Sequence, residues 1–314
     1  MLWNKYKKWL IAALLLGFFI IIPSLNNDGG QNRNTEFFTT NIDMPNKTIL
    51  SLPEYDAEIE TVTAVSSTIG RAREWLAQNF NVWKMYQNLA NPSSRYVVLN
   101  SGLRKEEIAN ILSRELKWNL GTKLAFLTTN EVLEQKNIEG HYNPGGYLLP
   151  LSTTPDEARN VLSQRFRTEI ESKYATSTAN VINLDKALRI GSIIEREASG
   201  TRDMRLISGI IWNRIFKNMG LEMDATLQYA KGNNKIGWWP QVKPEDKYID
   251  SPYNTYQNKG LPPTPISNVS IAALKAALNP KKTDCIFYLH DRSGNIHCSV
   301  SYKEHLANIK RYYK

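Results

Sequence analysis

The stretch DKALRIGSIIEREAS, from Asp185 to Ser199, decides how this chain is read. At 100° per residue, Ala187, Ile190, Ile194 and Ala198 fall on one stripe, so the segment is an amphipathic helix whose apolar side packs inward. Glu195 sits on the shoulder of that stripe with Leu188 and Gly191 one turn before it. A carboxyl beside apolar groups is expected to have a raised pKa, the state a general acid requires near neutrality. Gly191 carries no side chain, which leaves backbone open to a close-packed ligand. Glu197 lies about 160° around the helix from Glu195, so the two carboxylates do not easily flank one bond.

Upstream of this helix, Tyr96–Leu99 reads as a strand, Asn100, Ser101 and Gly102 as a turn, and Lys105–Leu116 as a helix with Ile108, Ile111, Leu112 and Leu116 at helical spacing. The pattern returns weakly over Tyr147–Phe166, and Thr68–Phe80 reads as a further amphipathic helix. A small α+β module over residues 48–160 is expected, followed by a mixed helical and β domain over 161–314. Near the C-terminus, two apolar arms, Cys285–Leu289 and Ile296–Tyr302, flank the polar Asp291–Gly294, the pattern of a β-hairpin. Cys285 and Cys298 lie on opposite arms; they could form a disulfide or stay as buried thiols.

The N-terminus speaks to compartment. Lys5, Lys7 and Lys8 precede an uncharged apolar run over residues 9–25, the positive-inside order of an exported chain. Seventeen helical residues rise roughly 25 Å, at the short end of what spans a bilayer. The run lacks a small-x-small cleavage site, which favours a retained transmembrane anchor, with residues 1–8 cytoplasmic, over a removed signal peptide. Residues 26–47 are rich in Asn, Asp, Gly, Gln and Thr and read as a flexible tether.

The 314 residues are 42% hydrophobic and 22% charged, ordinary globular proportions. An excess of 39 Lys and Arg over 30 Asp and Glu gives a formal charge of +9, which suits an anionic setting such as nucleic acid, acidic lipid or cell-wall polymer. Export removes nucleic acid as a partner. Two cysteines without Cys/His pairing spacing argue against a metal site.

Several ordered blocks resemble the MltG/YceG-like endolytic murein transglycosylases. Gly191–Ala198 is similar to the family's Ser-Ile-hydrophobic-Glu-x-Glu block, whose first Glu is taken as catalytic and maps onto Glu195. Asn213–Ile215 is similar to its Asn-Arg-Leu helix, and Leu221–Tyr229 to its Leu-x-x-Asp-Pro-Thr-x-x-Tyr, with Ala225 in place of proline. Tyr253–Tyr256 and Gly260–Ile266 match its Tyr-Asn-Thr-Tyr and Gly-Leu-Pro-Pro runs nearly residue for residue. Leu274–Ala277, Pro280 and the hairpin at Phe287 and Tyr288 continue the resemblance to residue 314.

What the resemblance implies is an α+β protein: a transmembrane anchor, a LysM-like module and a catalytic domain. The LysM-like half departs from the family, having Gly145 and Gly146 where the family has Asp-Thr and a short stretch between Leu124 and Glu139, which puts its glycan binding in doubt. The implied activity is endolytic cleavage between MurNAc and GlcNAc with formation of 1,6-anhydroMurNAc. Glu195 acts first as acid and then as base while the sugar's own C6 hydroxyl attacks, so one carboxyl suffices where a hydrolase needs two. No cofactor or metal is expected. The expected substrate contacts are Asn213, Asp224, Thr226, Tyr229, Tyr253, Asn254, Thr255, Tyr256, Leu261 and Pro262. Tyrosine rings suit pyranose faces, and amide and hydroxyl groups suit sugar hydroxyls. The implied setting is the outer face of the cell membrane, beside nascent glycan strands, peptidoglycan synthases and the division machinery. Two rivals are a hydrolytic muramidase on the same site and a wall-binding or division scaffold without catalysis.

Overall fold

A computed structural model describes residues 37–51, 93–128, 139–174 and 176–312. The expected cytoplasmic tail, the apolar run at 9–25 and the helix at 68–80 lie outside these residues. Among the described residues no helix is long and apolar enough to cross a membrane.

The architecture is α+β, with small two-stranded antiparallel sheets set among helices. The first half of the described chain runs β3 (Ser94–Leu99), α1 (Lys105–Glu115), α2 (Leu120–Leu127), β4 (Gly145–Pro150) and α3 (Pro155–Glu169), after a short hairpin of β1 (Ile42–Asp43) and β2 (Thr48–Ile49). β3 pairs with β4 in antiparallel register, Tyr96 opposite Leu148 and Val98 opposite Gly146. Alternation places Val97 and Leu99 in the core and leaves Tyr96 and Val98 exposed. The buried side chains meet Ile108, Leu112, Phe126, Tyr142 and Leu162 in one apolar cluster. The Gly145–Gly146 departure has a local cause, because a Cβ at Gly146 would overlap the Tyr96 hydroxyl. Thr154 caps α3 with Glu157 returning the bond, and Pro155 opens the helix.

The second half runs α4 (Thr176–Val181), α5 (Leu184–Glu197), α6 (Thr201–Phe216), α7 (Asp224–Lys231), α8 (Ile271–Leu278), β5 (Phe287–His290), β6 (Ile296–Ser299) and α9 (Tyr302–Tyr312). α5 is the decisive stretch: Asn183 caps it by accepting from the Lys186 N–H, and Asp185 sits in its first turn where the helix dipole favours an anion. Ala187, Ile190 and Ile194 are fully buried as the periodicity requires, together with Leu188 and Ile193. α6 and α8 pack against α5, and Trp212 closes the core by donating to the Ala277 carbonyl.

Three expectations change. The tether was expected to run to Lys47, yet Phe38 is fully buried and Asn41 donates its backbone N–H to Leu278 and its amide to Pro280. The segment 37–51 is thus a strap on the second half, held by apolar burial that its polar composition hides. The division placed at 160 falls inside α3, whose Ala158 and Leu162 belong to one core and whose Phe166 belongs to the other. The space beside Gly191 is not open to a ligand: a Cβ there would lie 2.8 Å from Val269 Cγ1, so the missing side chain serves close packing of α5 on the segment before α8.

The C-terminal hairpin forms, with its second arm ending at Ser299 and Tyr302 opening α9; Tyr288 lies opposite Cys298 and Leu289 opposite His297. Cys285 and Cys298 are joined by a disulfide across a Cα separation of 5.8 Å.

Candidate active site

α5 ends at Glu197, and its last turn carries both carboxylates in different surroundings. Glu195 is tied on both oxygens: the Ser101 hydroxyl donates to Oε1 at 2.6 Å, and the Ser270 N–H donates to Oε2 at 3.0 Å. Ser101 comes from the turn after β3, and Ser270 caps α8. Glu195 therefore joins three separate segments.

Glu197 faces the other way, into a cavity of about 510 Å3 whose lining includes Asp224, Lys247, Tyr256, Tyr288 and His305 but not Glu195. The Ala225 N–H donates to Glu197 Oε1 at 2.9 Å and the Tyr288 hydroxyl donates to Oε2 at 2.8 Å. Burial pushes the Glu197 carboxyl pKa up, against the lowering effect of those two donors, and the nearby Asp224 raises it further. Burial likewise holds Tyr288 far above the ordinary phenol range, so its hydroxyl keeps its proton and remains a donor. The lining is mixed, with Phe287, Leu289, Tyr302 and Ile309 supplying apolar and aromatic surface and Glu197, Glu222 and Asp224 supplying carboxylates.

The expected substrate contacts separate into groups. Asp224 and Tyr256 line this cavity and are joined by a 2.7 Å hydrogen bond from the tyrosine hydroxyl. Thr226, Asn254 and Thr255 are almost wholly buried. Thr226 and Thr255 bond to each other at 2.9 Å, Thr255 accepts from the Met223 N–H, and the Asn254 amide donates to the carbonyls of Lys247 and Ile249. These three hold the loop that presents Tyr256, and none of them lines the cavity. Asn213 donates to the Thr283 and Cys285 carbonyls, anchoring the hairpin. Tyr229 and Tyr253 pack in a tilted pair with ring centroids 4.7 Å apart, their hydroxyls on Glu139 and Thr264. Leu261 packs on the core, and the Pro262 carbonyl accepts from Arg189.

Sequence reading set Glu197 aside and gave Tyr288 and Arg214 no role in the site. Arg214 is buried and donates to the carbonyls of Ile286, Gly220 and Leu221 and to Glu222, tying the hairpin to the segment before α7. The helical wheel does separate the two glutamates; which edge of the stripe meets a cavity depends on α7 and the hairpin, about 30 and 90 residues downstream respectively. Among the described residues no group of three or more His, Cys, Asp or Glu side chains is arranged to hold a metal ion.

Comparison with known proteins converges on one family. Residues 63–311 match the model of the YceG-like family. The chain is 31% identical over 216 residues to an endolytic murein transglycosylase of Bacillus subtilis (strain 168), covering 67% of this chain and 58% of that protein. It is 28% identical over 192 residues to an endolytic murein transglycosylase of Streptococcus pneumoniae serotype 2 (strain D39 / NCTC 7466), covering 60% of this chain and 34% of that protein. The match thus spans less than two thirds of the first relative and about a third of the second. The fold resembles the crystal structure of a yceG-like protein, lmo1499, from Listeria monocytogenes, with a TM-score of 0.60 and 28% identity over 69% of this chain and 76% of that one. Matched over most of its length by that family model, the chain belongs to the YceG-like family.

Proposed function

We propose that the chain is an endolytic lytic transglycosylase of peptidoglycan and that Glu197, in place of Glu195, is its acid and base. The observation that carries this reading is a carboxyl with a raised pKa facing a cavity of about 510 Å3, held on both oxygens by Ala225 and Tyr288. In this reading protonated Glu197 gives its proton to the glycosidic oxygen between MurNAc and GlcNAc as the C1–O bond breaks. The resulting carboxylate then takes the proton of the C6 hydroxyl as that oxygen bonds to C1 and closes the 1,6-anhydro ring. No water is consumed and the enzyme returns to its starting state. The rings of Tyr256, Phe287 and Tyr302, all in the cavity lining, offer faces for the sugar rings.

The hydrolytic rival draws on Asp224, a second carboxylate in the same cavity that could activate water. Digestion of sacculi by wild type, Glu197→Gln and Glu195→Gln separates the readings, with products read by mass. We expect 1,6-anhydroMurNAc ends from wild type, none from Glu197→Gln, and a reduced yield from Glu195→Gln. Reducing MurNAc ends would establish the muramidase instead. Full activity in Glu197→Gln with none in Glu195→Gln would return the acid to residue 195. Sacculus binding with no soluble product from any of the three would favour the scaffold.

The same reading puts the described residues on the outer face of the cell membrane, anchored by the apolar run at 9–25 and working beside peptidoglycan synthases. The disulfide between Cys285 and Cys298 supports an oxidising compartment. The β3-α1-α2-β4 order supports a LysM-like module. A fusion of a periplasmically active reporter phosphatase after residue 47 tests the orientation; an inactive reporter would reject it.

A further inference from the structure

The last turn of a helix is where its backbone is least constrained, because its final carbonyls lack intrahelical partners and its end frays. Glu197 is the final residue of α5, so its placement depends on what holds residues 195 and 196. Both are held by the turn at Asn100–Leu103. The Ser101 hydroxyl donates to Glu195 Oε1 at 2.6 Å, and Arg196 Nη1 donates to the Gly102 carbonyl at 3.3 Å. Gly102 adopts φ +78°, and a Cβ there would come within 3.2 Å of Arg196 Nη1, so the close approach and the left-handed conformation both call for glycine.

The turn is itself fixed from the opposite side by Asn268. The Gly102 N–H donates to the Asn268 carbonyl at 3.0 Å and the Asn268 N–H donates to the Leu103 carbonyl at 2.8 Å. The Asn268 side chain accepts from the Leu103 N–H at 2.7 Å and donates to the Asn100 carbonyl at 3.0 Å. A second loop of the first half docks nearby, where Glu139 accepts from the Lys105 N–H and the Tyr229 hydroxyl, and a Cβ at Gly140 (φ +81°) would strike Pro265. Both loops are spent on the second half of the protein.

We infer that the Asn100–Leu103 turn belongs to the catalytic apparatus, with Ser101 and Glu195 as positioning residues that fix the end of α5 and thereby aim Glu197 into its cavity. This rests on Glu197 being the acid and base. It gives the first glutamate of the Glu-x-Glu pair a role distinct from that of the second, and it makes the first half of the protein part of the active site's frame.

The test is steady-state kinetics of the full chain on soluble, uncrosslinked glycan strands, with Ser101→Ala, Ser101→Thr, Glu195→Gln, the Ser101→Ala/Glu195→Gln double variant and Glu197→Gln. A misplacement of the acid lowers kcat, and we expect roughly a tenfold fall for Ser101→Ala with KM unchanged. Ser101→Thr, which keeps the hydroxyl, should recover most of the rate. The double variant should be no slower than Glu195→Gln alone, because Ser101 acts through that carboxylate. Thermal melts read alongside show whether each variant is folded, and should Ser101→Ala fail to fold, the comparison of Ser101→Thr with Glu195→Gln decides. Wild-type kcat in folded Ser101→Ala, a raised KM with normal kcat, or strict additivity in the double variant would overturn the inference while leaving an inactive Glu197→Gln to support the parent reading. An active Glu197→Gln would instead remove the parent reading itself.

Discussion

The Tyr288 hydroxyl, on the C-terminal hairpin, donates a 2.8 Å hydrogen bond to Oε2 of Glu197 at the end of α5, 91 residues earlier in the chain. The bond stabilises the ionised carboxylate and so works against the burial that raises its pKa. Removing it with Tyr288→Phe should raise that pKa further. Glu197 then stays protonated to higher pH, and the alkaline limb of the kcat/KM profile should move upward, with the maximal rate falling by roughly tenfold as the carboxyl loses orientation. A limb that stays put or moves to lower pH would show that Glu197 is not the titrating acid.

Glu139 is buried, and desolvation raises its pKa to about 8 despite Lys105 and Arg104 nearby. A carboxyl whose folded pKa lies above its unfolded value contributes stability that is complete below about pH 4.5 and declines as pH rises toward 8. The decline approaches about 1.4 kcal/mol per pH unit for one proton. Unfolding free energies measured between pH 5 and pH 8.5 should therefore fall with pH in the wild type and fall less in Glu139→Gln. Equal slopes would contradict the buried, proton-retaining state.

Filling the notch at Gly191 should be costly for a specific reason. Gly191→Ala gains helix propensity of about 1 kcal/mol yet places a Cβ 2.8 Å from Val269 Cγ1, and overpacking of this kind costs about 1–3 kcal/mol. The net change should be destabilising in the wild type and close to neutral or stabilising when Val269→Ala is also present. Denaturant melts of the four proteins of this cycle check it, and additivity would refute the contact.

Reducing the disulfide should loosen the hairpin. The bridge closes a loop of 13 residues, for which chain entropy gives about 3 kcal/mol. Wild type should lose several degrees of Tm in dithiothreitol, and Cys285→Ser/Cys298→Ser should melt at that lower temperature with or without reductant. Because the hairpin also carries Tyr288, the double variant should lose activity along with stability.

The sequence read well wherever structure follows from local periodicity. The stripe of Ala187, Ile190 and Ile194, the strand and turn at Tyr96–Gly102 and the terminal hairpin are all patterns a few residues long. The site was less legible because its parts are joined by contacts of 30 to 90 residues' separation. Thr226, Asn254 and Thr255 are residue types that suit a sugar, and the identical chemistry also suits a loop that must satisfy its own buried backbone. The wheel separated Glu195 from Glu197 correctly, but proximity to apolar neighbours pointed to Glu195. The donors that hold Glu197 arrive from Tyr288 and from the start of α7, and nothing within the helix announces either.

The strap at residues 37–51 closes on Leu278, Asn279 and Pro280, at the far end of the helix that Ser270 caps. The described chain therefore enters on the core that carries α5, with Phe38, Ile42 and Ile49 in the same apolar cluster as Ile190 and Ile194. α8 packs in turn on α5, so a pull on the chain at Phe37 would be borne by the same packing that seats Glu197.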